Sequence, residues 1–193
     1  MDLQLSGKKA IVLAGTRGIG FSVAKHLAAD GAKVAVGSRN LDNIHDATRM
    51  LQPIGDALGF QVDVSENFSK ALEWAYQQLK GLDILVINSG GPAKATFSQA
   101  TDDMWDDGLK TTLYPVIHGI RWAADRMPDG GRILIVSSMS ARQPMPELVI
   151  SNVIRSGITS MVKTLARELG PRNIAVNSIL PGFTMTRRLE TLT

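Results

Sequence analysis

Short runs of Val, Ile and Leu alternate along this chain with longer amphipathic segments, and this alternation is what most constrains its fold. Strands of near-continuous apolar character are buried on both faces, which is typical of a parallel sheet covered by helices on each side. Right-handed crossovers then give an α/β, three-layer, doubly wound parallel sheet. The apolar runs predict six strands, at 10–14, 33–37, 59–63, 83–88, 132–138 and 174–179.

The segments between these runs carry helix signals. Residues 18–30 have one apolar face and end at Gly31, a predicted C-cap. Residues 151–169 repeat apolar side chains at i, i+4 and i+7. Pro115 should kink or interrupt the helical segment 104–127. No repeat or linker divides the 193 residues, so we expect a single domain.

Composition excludes several classes of function. The chain has no cysteine, which excludes disulfides and Cys-ligated metals and fits a cytoplasmic protein. Its apolar runs are too short to span a bilayer, and MDLQLSGKK lacks the pattern of a secretory signal. The net charge of +3 is spread without basic–aromatic clusters, so no nucleic-acid partner is expected. His26, His45 and His118 are expected at the surface, with no metal site.

The glycine-rich segment VLAGTRGIG, residues 12–20, joins the first predicted strand to the first predicted helix. Glycines there let the backbone approach a pyrophosphate, and the helix N-terminus offers N–H groups and a positive dipole. Its position in a βαβ unit indicates a dinucleotide site. The alternative interpretation is a plain tight turn.

The end of the second predicted strand indicates which dinucleotide is bound. Sites that prefer NAD place an acidic residue there, but this chain has Ser38, Arg39 and Asn40. Arg39 can pair with a 2′-phosphate through two hydrogen bonds, and Arg17 can supply a second positive charge. The sequence therefore predicts that NADP(H) is preferred over NAD(H). The alternative is that Arg39 is only a surface arginine.

With these features, the chain resembles the short-chain dehydrogenase/reductase family, and is most similar to its β-ketoacyl carrier-protein reductase-like branch. The resemblance covers nearly the whole chain, from about Leu5 to Thr186. It implies a Rossmann-type fold with strand order 3-2-1-4-5-6 and a homodimer or homotetramer formed through helices 104–127 and 151–169. The further motifs that carry the resemblance are VDV (62–64), INSGG (87–91), SS (137–138) and NSILPGF (177–183).

The resemblance also implies a set of nucleotide-binding residues. Asp63 and Val64 match the pair beside the adenine, and the segment 181–186 matches the one that holds the nicotinamide amide. Leu13 and Ala14 depart from the family's glycine turn, which begins T-G. The cofactor-binding positions so implied are Gly15, Thr16, Arg17, Gly18, Ile19, Gly20, Ser38, Arg39, Asn40, Asp63, Val64, Asn88, Gly90, Arg155, Pro181, Gly182, Thr184 and Thr186.

The family's catalytic Asn, Ser, Tyr and Lys are only partly kept. Ser138 matches the serine, whereas the tyrosine and lysine fall on Ser151 and Arg155 and the asparagine falls on Thr112. In the family, the tyrosine protonates the carbonyl oxygen, the serine hydrogen-bonds it, and the lysine lowers the tyrosine's pKa and holds the ribose. Ser151 is a shorter and poorer proton donor, while Arg155 keeps the positive charge.

Structural interpretations remain open for these positions. Ser151 can be a helix N-cap, Arg155 a solvated surface charge, and Thr112 a structural residue. The match at Ser138 could shift to its neighbours Ser137 or Ser140.

We expect an NADPH-dependent oxidoreductase with an atypical active site, acting on a small carbonyl or alcohol in the manner of a 3-oxoacyl reductase. Ser138 would bind the carbonyl oxygen, and Arg155 would orient the ribose. The alternative is a catalytically idle nucleotide-binding sensor or partner subunit. The sequence stops at Thr193, where the family's substrate lid and seventh strand would follow, so this chain is expected to lack them. Either the chain is naturally short or it represents part of a longer polypeptide, and the sequence does not indicate a substrate.

Overall fold

Within residues 2–186, the part of the chain described by the computed structural model, six strands form one parallel sheet in the order β3-β2-β1-β4-β5-β6. Every neighbouring pair is parallel, which confirms the predicted doubly wound, Rossmann-type fold. The strands are β1 (Lys9–Leu13), β2 (Lys33–Ser38), β3 (Ala57–Gln61), β4 (Ile84–Ile87), β5 (Arg132–Val136) and β6 (Ala175–Ile179).

Helices cover both faces of the sheet. Ile11 and Leu13 of β1 pack into a core formed with α3, α5 and α6, whereas Ala10 and Val12 face a second core formed with α1 and α2. This alternation explains why the strands are apolar at successive positions. The helices are α1 (Gly18–Ala29), α2 (Leu41–Leu51), α3 (Phe68–Leu79), α4 (Asp102–Gly108), α5 (Tyr114–Ala124) and α6 (Val149–Leu169).

Proline interrupts the long helical segment as predicted. α4 is followed by a π turn over Leu109–Leu113, and Pro115 then lies in the first turn of α5. A proline is tolerated there because first-turn N–H groups have no partner within the helix. No helix among the described residues is long and apolar enough to cross a membrane.

Most predicted boundaries shift by one or two residues, and the structure explains two of these shifts. β3 ends at Gln61 because the N–H of Asp63 donates to the side chain of Asn67, 2.9 Å away, rather than to a strand. α6 begins at Val149 instead of 151, two residues after Glu147, whose φ of 59° lies in the left-handed region. Both differences arise at polar turns that apolar periodicity does not reveal.

The turn between β1 and α1 is closely packed. A Cβ atom added to Gly20 would lie 2.2 Å from the carbonyl oxygen of Ala14, so only glycine fits at that position. Ala14 itself has a φ of 45°, a left-handed conformation that is unfavourable for alanine. Ala14 therefore carries backbone strain that a glycine at this position would not have.

We expect Ala14→Gly to raise the free energy of unfolding by about 0.5–1 kcal/mol, because relief of left-handed strain (about 1–2 kcal/mol) exceeds the entropic cost of glycine. Urea denaturation measures this change. Ala166→Gly, at an exposed position within α6, is the matched control and should lower stability by about 1 kcal/mol. A loss in Ala14→Gly equal to that of the control would contradict the strain.

Candidate active site

The N-terminus of α1 is left open at the edge of the sheet. Arg17 is in the N-cap position but makes no side-chain cap, and the first turn contains no acidic residue. The side chains of Asn40 and Thr101 cap α2 and α4, whereas α3, α5 and α6 have no side-chain cap either. The first-turn N–H groups of α1 are therefore not occupied by a capping side chain, as binding of a pyrophosphate requires.

The segment after β6 lies beside this turn. A Cβ atom added to Gly18, whose φ is 52°, would lie 3.2 Å from Cγ2 of Thr186. Pro181, Gly182 and Thr184 belong to the same segment, and the carbonyl of Pro181 accepts a hydrogen bond from the N–H of Met139 at 3.1 Å. The structure thus brings the two ends of the sequence-predicted nucleotide site together.

Two arginines flank the start of α2. The guanidinium of Arg17 donates to Oδ1 of Asn43, whose own N–H donates to Oδ1 of Asn40 at 2.8 Å. The side chain of Arg39 is exposed, while its carbonyl accepts from Nε2 of Gln61 at 3.0 Å. The backbone that carries Arg39 is therefore anchored, and its guanidinium is accessible to a ligand.

Asp63 lies close enough to Arg39 to interact with it electrostatically. Its Oδ1 accepts from the hydroxyl of Ser65 at 2.6 Å and from the N–H of Ser65 at 2.9 Å. The bond from the Ser65 hydroxyl, followed by the bond from the Ser65 N–H, holds the pKa of Asp63 below its usual range. Partial burial raises this pKa, and the positive charge of Arg39 lowers it by a smaller amount. Val64 follows, partly buried against the core. Asp63 and Arg39, predicted from separate motifs, are thus neighbours.

Asn88 holds the glycine turn from the end of β4. Its Nδ2 donates to the carbonyl of Ala14 at 3.4 Å, and it would also lie 2.9 Å from a Cβ atom on Gly20. Gly90, two residues on, has open space where a Cβ would be. Asn88 therefore supports the glycine turn, with Gly90 on the open side of the same edge.

Three serines are connected at the end of β5. Ser138 is half-buried, and its Oγ accepts from the N–H of Ser140 at 3.2 Å. Oγ of Ser140 lies 3.2 Å from Oγ of Ser151, with 0% and 8% of these two residues exposed. Interpretation of Ser151 as an N-cap was wrong, because α6 begins at Val149 and Leu148 occupies the cap.

Arg155 is buried one turn further along α6. Only 4% of it is exposed, and its Nη1 donates to the carbonyl of Val136, 3.0 Å away, at the end of β5. The interpretation of Arg155 as a solvated surface charge was therefore wrong. Its guanidinium is buried and donates a hydrogen bond to the carbonyl at the end of β5. Because arginine remains protonated at any physiological pH, this position carries a fixed positive charge.

The remaining candidates are distinguished by their environments. Thr112 is fully buried in the π turn, and its hydroxyl has no partner among residues 2–186, which favours the structural interpretation. Ser137 is also buried with no hydroxyl partner in that range. Of the neighbours Ser137 and Ser138, Ser138 is thus the one whose hydroxyl is oriented by a hydrogen bond and is also accessible. Sequence reasoning treated Ser140 only as a substitute for Ser138 and missed its link to Ser151.

A short clasp that the sequence did not predict joins the loop after β4 to the start of α6. The N–H of Ala95 donates to the carbonyl of Glu147 at 2.7 Å, and the N–H of Val149 donates back to Ala95 at 3.4 Å. Lys94 and Glu147 add an ion pair at 3.1 Å. The clasp ties the loop that follows Asn88 to the helix that carries Ser151.

Within the described part of the chain, no three or more His, Asp or Glu side chains are grouped so as to hold a metal. The side chains of His26, His45 and His118 are exposed, as the sequence predicted.

Comparison with known proteins agrees with this geometry. The family described as short chain dehydrogenase matches residues 8–193. The Mus musculus protein "Dehydrogenase/reductase SDR family member 4" is 34% identical over 189 residues, which span 95% of this chain and 68% of that relative.

Two solved structures share the fold closely. A short chain dehydrogenase from Burkholderia cenocepacia J2315, in complex with NADP, has a TM-score of 0.91 and 32% identity and covers 95% of this chain and 77% of its own. A 7α-hydroxysteroid dehydrogenase complexed with NADH and 7-oxo glycochenodeoxycholic acid has a TM-score of 0.94 and 28% identity, covering 100% and 77%. The fold therefore does not by itself choose between the two nucleotides.

We expect Ser65→Ala to raise the pKa of Asp63 towards its ordinary value, because the substitution removes the hydroxyl whose hydrogen bond stabilises the carboxylate. Carbon-detected NMR titration of the Asp63 carboxyl measures the shift. A lowered folded-state pKa stabilises the protein above the unfolded pKa, and this stabilisation is lost as pH falls through the folded pKa.

The difference in stability between wild type and Ser65→Ala should accordingly shrink in acid. Ser160→Ala, on the exposed face of α6, is the control and should leave the titration of Asp63 unchanged. An unaltered Asp63 titration in Ser65→Ala would show that Ser65 does not set this pKa.

Proposed function

We propose a function for this chain from one premise, that it belongs to the short-chain dehydrogenase family. It is an NADPH-dependent oxidoreductase that transfers hydride between the nicotinamide and a carbonyl or hydroxyl group of a small molecule, as a 3-oxoacyl reductase does. The observation that carries the proposal is the juxtaposition at one sheet edge of an uncapped α1 N-terminus with Ser138 and the buried charge of Arg155.

The residues present fit a phosphorylated dinucleotide. The free N–H groups of α1 suit its pyrophosphate, Arg17 and Arg39 suit a 2′-phosphate, and Asp63 with Val64 would flank the adenine. The segment 181–186 would hold the nicotinamide amide beside Gly18. The Burkholderia relative was solved with NADP, which supports the choice. When bound, the nicotinamide supplies the hydride.

Electrostatic stabilisation replaces the family's acid catalysis in this proposal. The hydroxyl of Ser138 donates to the substrate's carbonyl oxygen, and the positive charge of Arg155 stabilises the negative charge that develops there. Loss of a general acid typically costs about 10²- to 10⁴-fold, whereas positioning of two reactants supplies roughly 7–11 kcal/mol. Once the carbonyl carbon has received the hydride, the resulting alkoxide takes its proton from water, which leaves hydroxide.

The proposal extends to assembly and location. α5 and α6 carry exposed apolar side chains, Tyr114 and Val153, that suit contact with a second subunit in a dimer or tetramer. The absence of cysteine from the sequence suits the reducing cytoplasm.

The second candidate is a catalytically idle nucleotide-binding module. It is favoured by Ser151, which the resemblance assigns to the tyrosine position and whose hydroxyl is already in contact with that of Ser140. Such a module would bind NADPH but transfer no hydride.

We expect Arg39→Asp to weaken NADPH binding by about 10- to 100-fold, because a charge-assisted hydrogen-bonded contact contributes about 1.5–3 kcal/mol. NADH, which lacks the 2′-phosphate, should lose less than about threefold. Titration of nucleotide fluorescence measures both dissociation constants. Arg49→Asp, the same charge change in the last turn of α2, is the control and should leave their ratio unaltered. Equal losses for the two nucleotides in Arg39→Asp would rule out the assignment.

We expect Ser138→Ala to lower turnover at least about tenfold with the affinity for NADPH unchanged, because one donor to the developing oxyanion is lost. Oxidation of NADPH is followed with a 3-oxoacyl thioester, an aliphatic ketone and an aldehyde as substrates. Ser137→Ala, a buried neighbour whose hydroxyl has no described partner, is the control. An unchanged rate would remove Ser138 from the mechanism, and tight NADPH binding without turnover in the wild type would favour the idle module.

A further inference from the structure

We infer that Ser140 is a positioning residue of this active site. Its side-chain hydroxyl pairs with that of Ser151 and leaves the Ser151 proton for a substrate carbonyl oxygen, while its backbone N–H, which alanine would keep, accompanies this by donating to Oγ of Ser138. The inference rests on the proposed function. It assigns to Ser140 and Ser151 together the place that a phenol holds elsewhere in the family.

The hydrogen bond from Ser140 to Ser138 determines what the Ser138 hydroxyl can do. A hydroxyl has one proton and two lone pairs, and here one lone pair of Oγ accepts the N–H of Ser140 at 3.2 Å. The O–H proton of Ser138 is therefore directed away from that N–H. Accepting a bond also polarises the hydroxyl, which makes it a better donor. Ser138 is half-buried, so a substrate oxygen can reach the proton.

The pair formed by Ser140 and Ser151 works in the same way. The two hydroxyl oxygens lie 3.2 Å apart in a buried position. Among residues 2–186, neither hydroxyl makes a second hydrogen bond. Buried hydroxyls are normally satisfied. When Ser140 donates to Ser151, the proton of Ser151 is left for a further acceptor. A ligand oxygen next to Ser138 would satisfy it.

The turn that carries Ser140 is anchored on both sides. Ser138 caps the short 3₁₀ turn Met139–Ala141, and the hydroxyl of Ser156 donates to the carbonyl of Ala141 at 3.1 Å. Ser140 is thus fixed relative to α6, which also carries Ser151. The guanidinium of Arg155, bonded to Val136, adds a positive charge at the same strand end. In this inference, the two hydroxyls act as donors to the same substrate oxygen and the guanidinium supplies positive charge near them.

The test is a double-mutant cycle on the full chain. Ser140→Ala and Ser151→Ala should each lower kcat for carbonyl reduction about five- to tenfold, the loss expected for one hydrogen bond. The double variant should be no slower than either single variant, because the two hydroxyls act as one unit. The dissociation constant for NADPH, measured by nucleotide fluorescence, should stay within about twofold, since a positioned donor to substrate does not contact the nucleotide.

Ser160→Ala, on the exposed face of α6 and outside the hydroxyl pair and its anchors, is the matched control and should change kcat by less than about twofold. If Ser140 were only structural, Ser140→Ala would lower Tm and leave kcat unchanged, which would overturn the inference. Should the alanine variant fail to fold, Ser140→Cys keeps the side-chain volume with a weaker donor and should give an intermediate kcat.

The remaining outcomes separate the inference from the proposed function. Additive losses in the double variant would overturn the coupling of Ser140 to Ser151 while leaving the reductase intact. Wild-type protein that binds NADPH but reduces none of the carbonyl substrates would overturn the proposed function, and the positioning role with it.

Discussion

Parallel pairing of all the strands directs their carboxyl ends to one edge of the sheet, and the whole site depends on this constraint. The glycine turn follows β1, Arg39 follows β2, Asn88 follows β4, Ser138 follows β5 and the segment 181–186 follows β6. No two of these elements are neighbours in sequence, yet each is a strand end. A chain that keeps this sheet therefore keeps these loops together at one edge, whatever their individual residues become.

Contacts between the loops make the edge more rigid than separate strand ends would be. Asn88 holds the Ala14 carbonyl from a neighbouring strand, and the Ala95–Glu147 clasp ties the loop after β4 to α6. Ala14 and Glu147 both adopt left-handed conformations at these contacts. Such strain persists only where the surrounding structure over-determines the backbone. At Ala14 and Glu147, contacts with other parts of the chain therefore override the backbone preference of the residue itself.

The sequence predicted a doubly wound parallel sheet because apolar periodicity reports which faces are buried, while the strand order was implied by the family resemblance. Arg39 was predicted because it follows the second strand, and Asp63 because the resemblance implies it. It failed where the answer lies in a tertiary partner. Helical periodicity placed Arg155 at the margin of an apolar stripe, and only the position of the Val136 carbonyl explains its burial. The contact of Ser140 with Ser151 likewise joins a short turn to α6, and no sequence pattern predicts how close these two elements lie.

If Ser151 and Arg155 occupy the family's tyrosine and lysine positions, as the resemblance implies, the two residues suit one another. In the family, the lysine lowers the pKa of the tyrosine, so its value as a tunable charge depends on the phenol. With Ser151 in that place there is no phenol whose pKa a lysine would lower, and a permanently charged group loses nothing. Arginine is also more weakly hydrated than lysine, which suits a position with only 4% exposure. Under the proposed function, the guanidinium at the end of β5 and the hydroxyl of Ser138 therefore stabilise an oxyanion rather than protonate it.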